Sequence, residues 1–144
     1  MRLMLALPAL GLGILLLAQS GACTRSAVVG PDGGRVPIGA WGGQGVALQV
    51  TETGAHIEFD CASGEIAQPL MIDNDGRLAV DGVFVQERAG AIRVGEEPER
   101  KPARYSGRVD SKTMTLNVVL TESNETMGTF TLTRGADPRV RKCR

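Results

Sequence analysis

His56 and the three cysteines Cys23, Cys61 and Cys143 are the side chains of this 144-residue chain with most chemistry in them. His56 is the only histidine, so a Ser-His-acid triad would have to combine it with Ser63 or Ser106. Neither serine sits in the glycine-flanked elbow that exposes a nucleophile. A catalytic zinc site usually draws on more than one histidine, and two cysteines expected to be oxidised are poor replacements. Asp73-Asn74-Asp75-Gly76 resembles the start of a calcium loop. The twelfth position from Asp73, where a bidentate glutamate would stand, is Phe84, so the segment is better read as a tight turn. Glu58 and Asp60 are two apart and would share the outer face of a strand; a solvated face accounts for them without acid-base work. No glycine run precedes a helix in the manner of a phosphate loop. The expected inventory is therefore no catalytic residue, no metal ligand, no cofactor and no enzyme activity.

The cysteines are explained by the start of the chain. Arg2 is followed by the apolar run Leu3 to Ala18, then by Gln19-Ser20-Gly21-Ala22 directly before Cys23. A positive start, an apolar stretch and small residues ahead of a cut site are the marks of an export signal, expected over residues 1–22. The run is broken by Pro8, Gly11 and Gly13 and falls short of the ~20 residues that span a bilayer. An odd number of cysteines in an exported chain leaves one thiol over. Ser20-Gly21-Ala22-Cys23 resembles, in part, the cleavage motif of bacterial lipoproteins. Ala22 fits, whereas Ser20 stands where that motif carries Leu, Val or Ile. Cys23 is thus the lipidation candidate, with ordinary cleavage after Ala22 as the alternative. Acylation on more than one position would hold the chain stably to a membrane. The expected location is exported, periplasmic or lipid-anchored.

Cys61 and Cys143 then remain to pair, as an oxidising compartment favours. No Lys, Arg or His adjoins Cys61 to make it reactive. The second strand would end at Cys61 on its inward side, and nine residues separate Cys143 from Arg134. Nine residues reach roughly 30 Å when extended, ample for one strand spacing beyond a neighbour.

Removal of the leader leaves 122 residues, enough for one domain. The remainder carries 15 basic against 16 acidic groups, so no basic footprint for nucleic acid or for an anionic membrane is expected. Trp41, Tyr105, Phe59, Phe84 and Phe130 are too few to stack bases or sugars.

Period-two alternation runs through the rest. Residues 23–38 hold prolines and glycines without an apolar period and are expected to form a flexible tether, with a barrel domain over 39–144. Val46, Leu48 and Val50 make a first strand; Ile57, Phe59 and Cys61 make a second, forming a hairpin with it. Strands are expected at Arg77 to Glu87, Ala103 to Val109, Met114 to Leu120 and Gly128 to Leu132, with shorter ones at Ile66–Ile72 and Ala91–Val94. Gly82 is expected to mark a bulge or bend, Ala62 to Pro69 at most one helical turn, and 96–102 a charged loop. About eight strands with short connections predict an all-β fold, a small antiparallel up-and-down barrel, with a β-sandwich as the alternative. The inward set would include Val46, Leu48, Ile57, Phe59, Leu78, Val80, Tyr105, Leu116, Val118, Phe130 and Leu132.

Gly39-Ala40-Trp41 at the head of this pattern is similar to the G-x-W signature of the calycins, the lipocalin- and avidin-like barrels. The resemblance implies that Trp41 closes one end of the barrel beneath an arginine from the last strand, and Arg134 has the matching parity. The first loop is shorter than in lipocalins, and the aromatics of an avidin-type site are missing. Trp41-Gly42-Gly43, Glu58-Phe59-Asp60-Cys61-Ala62, Asp75-Gly76-Arg77, Tyr105-Ser106-Gly107 and Phe130-Thr131-Leu132 also look like a group of exported bacterial proteins without a known activity. The functional expectation is a non-catalytic binding module of the cell envelope for a small apolar ligand or an envelope protein. It would touch the membrane only through a lipid at Cys23. The alternative is an inhibitor of a lysozyme or secreted protease, reaching its enzyme with the loop at 89–102 or the turn at 121–126.

Overall fold

In a computed structural model, residues 34–88, 90, 95 and 97–143 are described. They contain eight strands: β1 Gly39–Gly43, β2 Val46–Val50, β3 Ala55–Phe59, β4 Ala62–Ile66, β5 Arg77–Gln86, β6 Arg100–Val109, β7 Thr113–Leu120 and β8 Thr126–Arg134. Each pairs antiparallel with the next, and β1 pairs with β8, so the sheet closes into an up-and-down barrel. Closure removes the edge that an open sheet would leave to aggregate. The leader at 1–22, Cys23 and the expected strand at Ala91–Val94 lie outside the described residues.

Alternation puts one apolar face inward on every strand. Val46, Leu48, Ile57, Phe59, Leu78, Val80, Tyr105, Leu116, Val118 and Leu132 are all buried, and Phe130 is partly buried against them. Many outward positions are polar, as in the pairs Thr113↔Thr133, Thr115↔Thr131 and Asn117↔Thr129 across β7 and β8. The Thr129 hydroxyl donates to Asn117 Oδ1 at 3.0 Å.

Tyr105 organises the middle layer. Its hydroxyl donates to the Val83 carbonyl at 2.8 Å, which satisfies the polar atom that Tyr105 carries inside. Burial pushes that hydroxyl far above the ordinary phenol range. The ring fits because Gly64 and Gly82 face it. A Cβ at Gly82 would stand 3.0 Å from the ring and 2.5 Å from the Glu65 carbonyl, and one at Gly64 would collide with the hydroxyl.

Several expectations are corrected. Gly39–Gly43 is a strand in its own right, not the lead-in to β2. Ala62–Ile66 is β4, neither a helical turn nor part of a strand running to Ile72; Met71 and Ile72 make only single bridges. Ala62, Gly64 and Ile66 point inward, but alanine and glycine carry little strand signal. Gly82 is not a bulge, since β5 and β6 keep one register from Arg77↔Arg108 to Val85↔Arg100. The bulge is opposite Val118 and Val119, where Met127 is the extra residue. β6 begins at Arg100, inside the expected charged loop, and takes in Pro102 near its end, where the missing N–H is tolerated. The end of the expected tether is docked: the Val36 N–H donates to the Leu70 carbonyl and the Ile72 N–H to the Gly34 carbonyl, and Val36 is fully buried.

Candidate functional site

The barrel has two ends of different construction. At the first lie the start of β1 and the β2–β3, β4–β5 and β6–β7 connections. Trp41 is 1 % exposed there, and its indole Nε1 donates to the Pro37 carbonyl at 3.1 Å. Val36, Pro37, Leu70 and Ile72 are buried beside it, so the docked segment and the β4–β5 connection plug this end. Arg134 is the cross-strand partner of Trp41 in the β1–β8 register and is itself exposed.

Tight turns complete the sealed end. The Asp73 carboxylate accepts the N–H groups of Asp75 and Arg77 at 2.9 and 2.8 Å, and the Gly76 N–H donates to the Asp73 carbonyl. Its lone pairs are therefore directed at the turn backbone. Asp110 does the same between β6 and β7. It accepts from the Thr113 hydroxyl and from the Lys112 and Thr113 N–H groups, bonds that hold its carboxyl below the usual range.

The opposite end is aromatic. The Phe59 ring from β3 lies 5.7 Å from the Phe84 ring of β5 and 4.9 Å from the Phe130 ring of β8, tilted 41° in both pairs. Edge-tilted rings at these separations attract beyond their buried area. Phe130 folds over Gly128, where a Cβ would come within 2.8 Å of the ring. Phe59 and Phe84 are buried, whereas Phe130 and the bulge residue Met127 are only partly so. Around them run the turn at Gln44–Gly45, the turn at Asp60–Cys61, residues 87–88 and 97–99 beside β5 and β6, and the fully exposed turn at 121–125. Lys101 shares the inward parity of Ala103 and Tyr105, opposite Phe84, and its Nζ is 3.6 Å from Glu99.

The C-terminal tail latches this end from outside. It crosses β1 at Gly42, where a Cβ would collide with the Ala136 carbonyl and stand 2.8 Å from the Pro138 nitrogen. The Arg139 N–H donates to the Gly43 carbonyl, and the Gly45 N–H returns the bond to Arg139. The Cys61 N–H then donates to the Arg141 carbonyl, and the Arg141 N–H to Asp60 Oδ1 at 2.6 Å. Lys142 Nζ lies 3.3 Å from Glu58 and 3.8 Å from Glu87. Cys61 and Cys143 form a disulfide with Cα atoms 4.9 Å apart. Cys61 is not the inward end of β3, as the alternation implied; it occupies the β3–β4 turn at φ 55, where its side chain can meet the tail. The disulfide points to a non-cytoplasmic environment.

The other chemistry-bearing residues are scattered. His56 is exposed on β3, 3.9 Å from Glu58. Ser63 is on β4 opposite Glu58, and Ser106 is on β6 opposite Asn117 and Ala79. No hydrogen bond joins His56 to either serine among the described residues. Glu58 and Asp60 serve the tail. Among the described residues no group of three or more His, Cys, Asp or Glu could hold a metal ion.

Sequence reasoning missed Met127 and the part played by Phe84. Met127 was detectable only as a parity break, since Met127 and Phe130 cannot share a face of an unbroken strand. No protein-family model, no curated protein and no solved structure matches the chain.

Proposed function

We propose that the protein is a non-catalytic binding module of the bacterial cell envelope, exported and anchored by a lipid on Cys23. Its binding surface is the aromatic end of a calycin-like barrel. The carrying observation is that Phe130 and Met127 are left partly exposed on a buried Phe59–Phe84 layer, at the end opposite the plug of Val36, Pro37, Leu70 and Ile72. Apolar surface held open beside packed rings gains on covering by another apolar group. Tyr105 occupies the layer beneath, so the ligand, a small apolar molecule or an apolar group of an envelope protein, would sit above it. The pairing of Trp41 with Arg134 across β1 and β8 supports the calycin-like reading.

The test is displacement of an anilinonaphthalene dye by a panel of apolar metabolites, with Phe130→Ser and Met127→Ser in parallel. Dye binding weakened at least severalfold by both substitutions is expected. Binding that survives both would end this reading.

An inhibitor of a lysozyme or secreted protease is the second reading. It is favoured by the 121–125 turn, exposed throughout, closed by a bond from the Leu120 N–H to the Glu125 carbonyl and carrying Asn124 at φ 54. Titration against muramidases and secreted proteases decides it, and no inhibition at micromolar protein would dismiss it.

A further inference from the structure

Among the described residues, the exposed large hydrophobic side chains are Ile38, 46 % exposed, and Met71, 54 % exposed. Both lie at the sealed end. Ile38 directly precedes β1, and Met71 is bridged antiparallel to Arg35. Opposed residues of such a bridge share a face, so Arg35 and Met71 point outward together while Val36 and Leu70 point into the plug. The backbone that carries them is held by the hydrogen bonds of Val36 to Leu70 and of Ile72 to Gly34. A fixed backbone thus presents two well-exposed apolar side chains to the outside at this end.

The described chain also begins at this end, at Gly34. Cys23 is eleven residues upstream. Eleven residues extend to at most about 40 Å. An acyl anchor on Cys23 would therefore keep the sealed end close to the bilayer, at a high effective concentration for even a weak contact.

We propose that the sealed end is a membrane-docking face, with Ile38 and Met71 seated at the boundary of headgroups and acyl chains and Arg35 against a lipid phosphate. The proposal rests on the lipid anchoring given above. It turns the aromatic end away from the membrane, with its rim free for a partner. The charges around the sealed end nearly balance: Arg35, Arg77, Arg108, Lys112 and Arg134 against Glu52, Asp73, Asp75 and Asp110. Docking is accordingly driven by apolar contact and depends little on anionic lipid.

The chain after the leader has three methionines, and they separate the alternatives: Met71 at the sealed end, Met114 in the core and Met127 at the aromatic end. The full chain, exported and purified from membranes, is reconstituted with labelled methionine methyls in phosphatidylethanolamine–phosphatidylglycerol nanodiscs containing a doxyl-labelled lipid. The Met71 methyl should broaden severalfold more than those of Met114 and Met127. Ile38→Ser should reduce that broadening, and exchange of phosphatidylglycerol for a neutral lipid should leave it nearly unchanged. Mass spectrometry of the same sample reads the anchor separately. A chain without acyl mass overturns the anchoring, and with it docking as proposed. An acylated chain whose Met71 and Met127 methyls broaden equally overturns docking alone.

Discussion

The same eight strands run to both ends of the barrel, yet the ends are closed by different means. At the sealed end the chain closes the interior from within: Trp41 is buried and hydrogen-bonded to Pro37, with Val36, Leu70 and Ile72 packed beside it. At the aromatic end closure comes from outside, through a tail that crosses Gly42 and is fixed by the Cys61–Cys143 disulfide. The interior there stops at three phenylalanines, one of them partly exposed. An apolar plug stabilises through burial and leaves no part of the barrel interior uncovered. An external latch fixes the turns and leaves the layer beneath accessible. A barrel that needs one adaptable end can obtain it by moving its stabilisation from the interior to the rim.

Substitutions at the two ends should therefore differ in size. Trp41→Ala removes a fully buried side chain from the plug and should cost about 3–5 kcal/mol, the largest effect of the series, read by denaturant unfolding. Cys143→Ser opens a loop of 82 residues' separation and should cost about 2–4 kcal/mol. Its specific signature is lost exchange protection at the amides of Gly45, Cys61 and Arg139, while those of Val36 and Ile72 stay protected. If protection fell equally at both ends, the latch would be no separate device.

Phe130→Ala should cost less than Trp41→Ala, about 1–2 kcal/mol, because the ring is already partly exposed. Equal losses would erase the distinction between the ends. The smallest effect belongs to Asp110 at the sealed end, a nearly fully exposed carboxylate. Hydrogen bonds from the Thr113 hydroxyl and then from the Lys112 and Thr113 N–H groups lower its pKa in the folded state. A lowered folded pKa gives stability that is fully present above the unfolded value and is lost as pH falls through the folded one. Asp110→Asn should thus flatten the acid limb of melting temperature against pH, from about pH 5 downward, and change little at neutrality. An unchanged acid limb would show that those bonds add nothing.

The barrel was legible because alternation is strict where the strands carry large side chains. Val46-Leu48-Val50, Met114-Leu116-Val118-Leu120 and Phe130-Leu132 alternate with partners that are polar except Ala47 and Val119, and each falls in a strand. β1 and β4 were hidden for one shared reason. Gly39–Gly43 and Ala62–Ile66 are rich in glycine and alanine, which make room for a ring inside at Gly64 and for the crossing tail outside at Gly42. The pairing of Cys61 with Cys143 could be reached by counting cysteines and measuring reach, whereas the path of the tail could not. That path depends on Asp60 and Glu58 turning from a solvated strand face to the Arg141 N–H and the Lys142 ammonium, contacts 81 and 84 residues away in sequence. The aromatic layer was half visible. Phe59 and Phe130 follow from alternation, but the exposure of Phe130 and Met127 depends on a bulge that no turn residue announces.

The central claim, that the aromatic end receives the apolar ligand while the plugged interior of the sealed end does not, is tested most directly by methionine methyl spectra during titration with an anilinonaphthalene probe. Met127 should shift progressively and saturate, while Met71 and the core Met114 hold their positions. A shift at Met71 without one at Met127, or no shift at any of the three, would contradict the account.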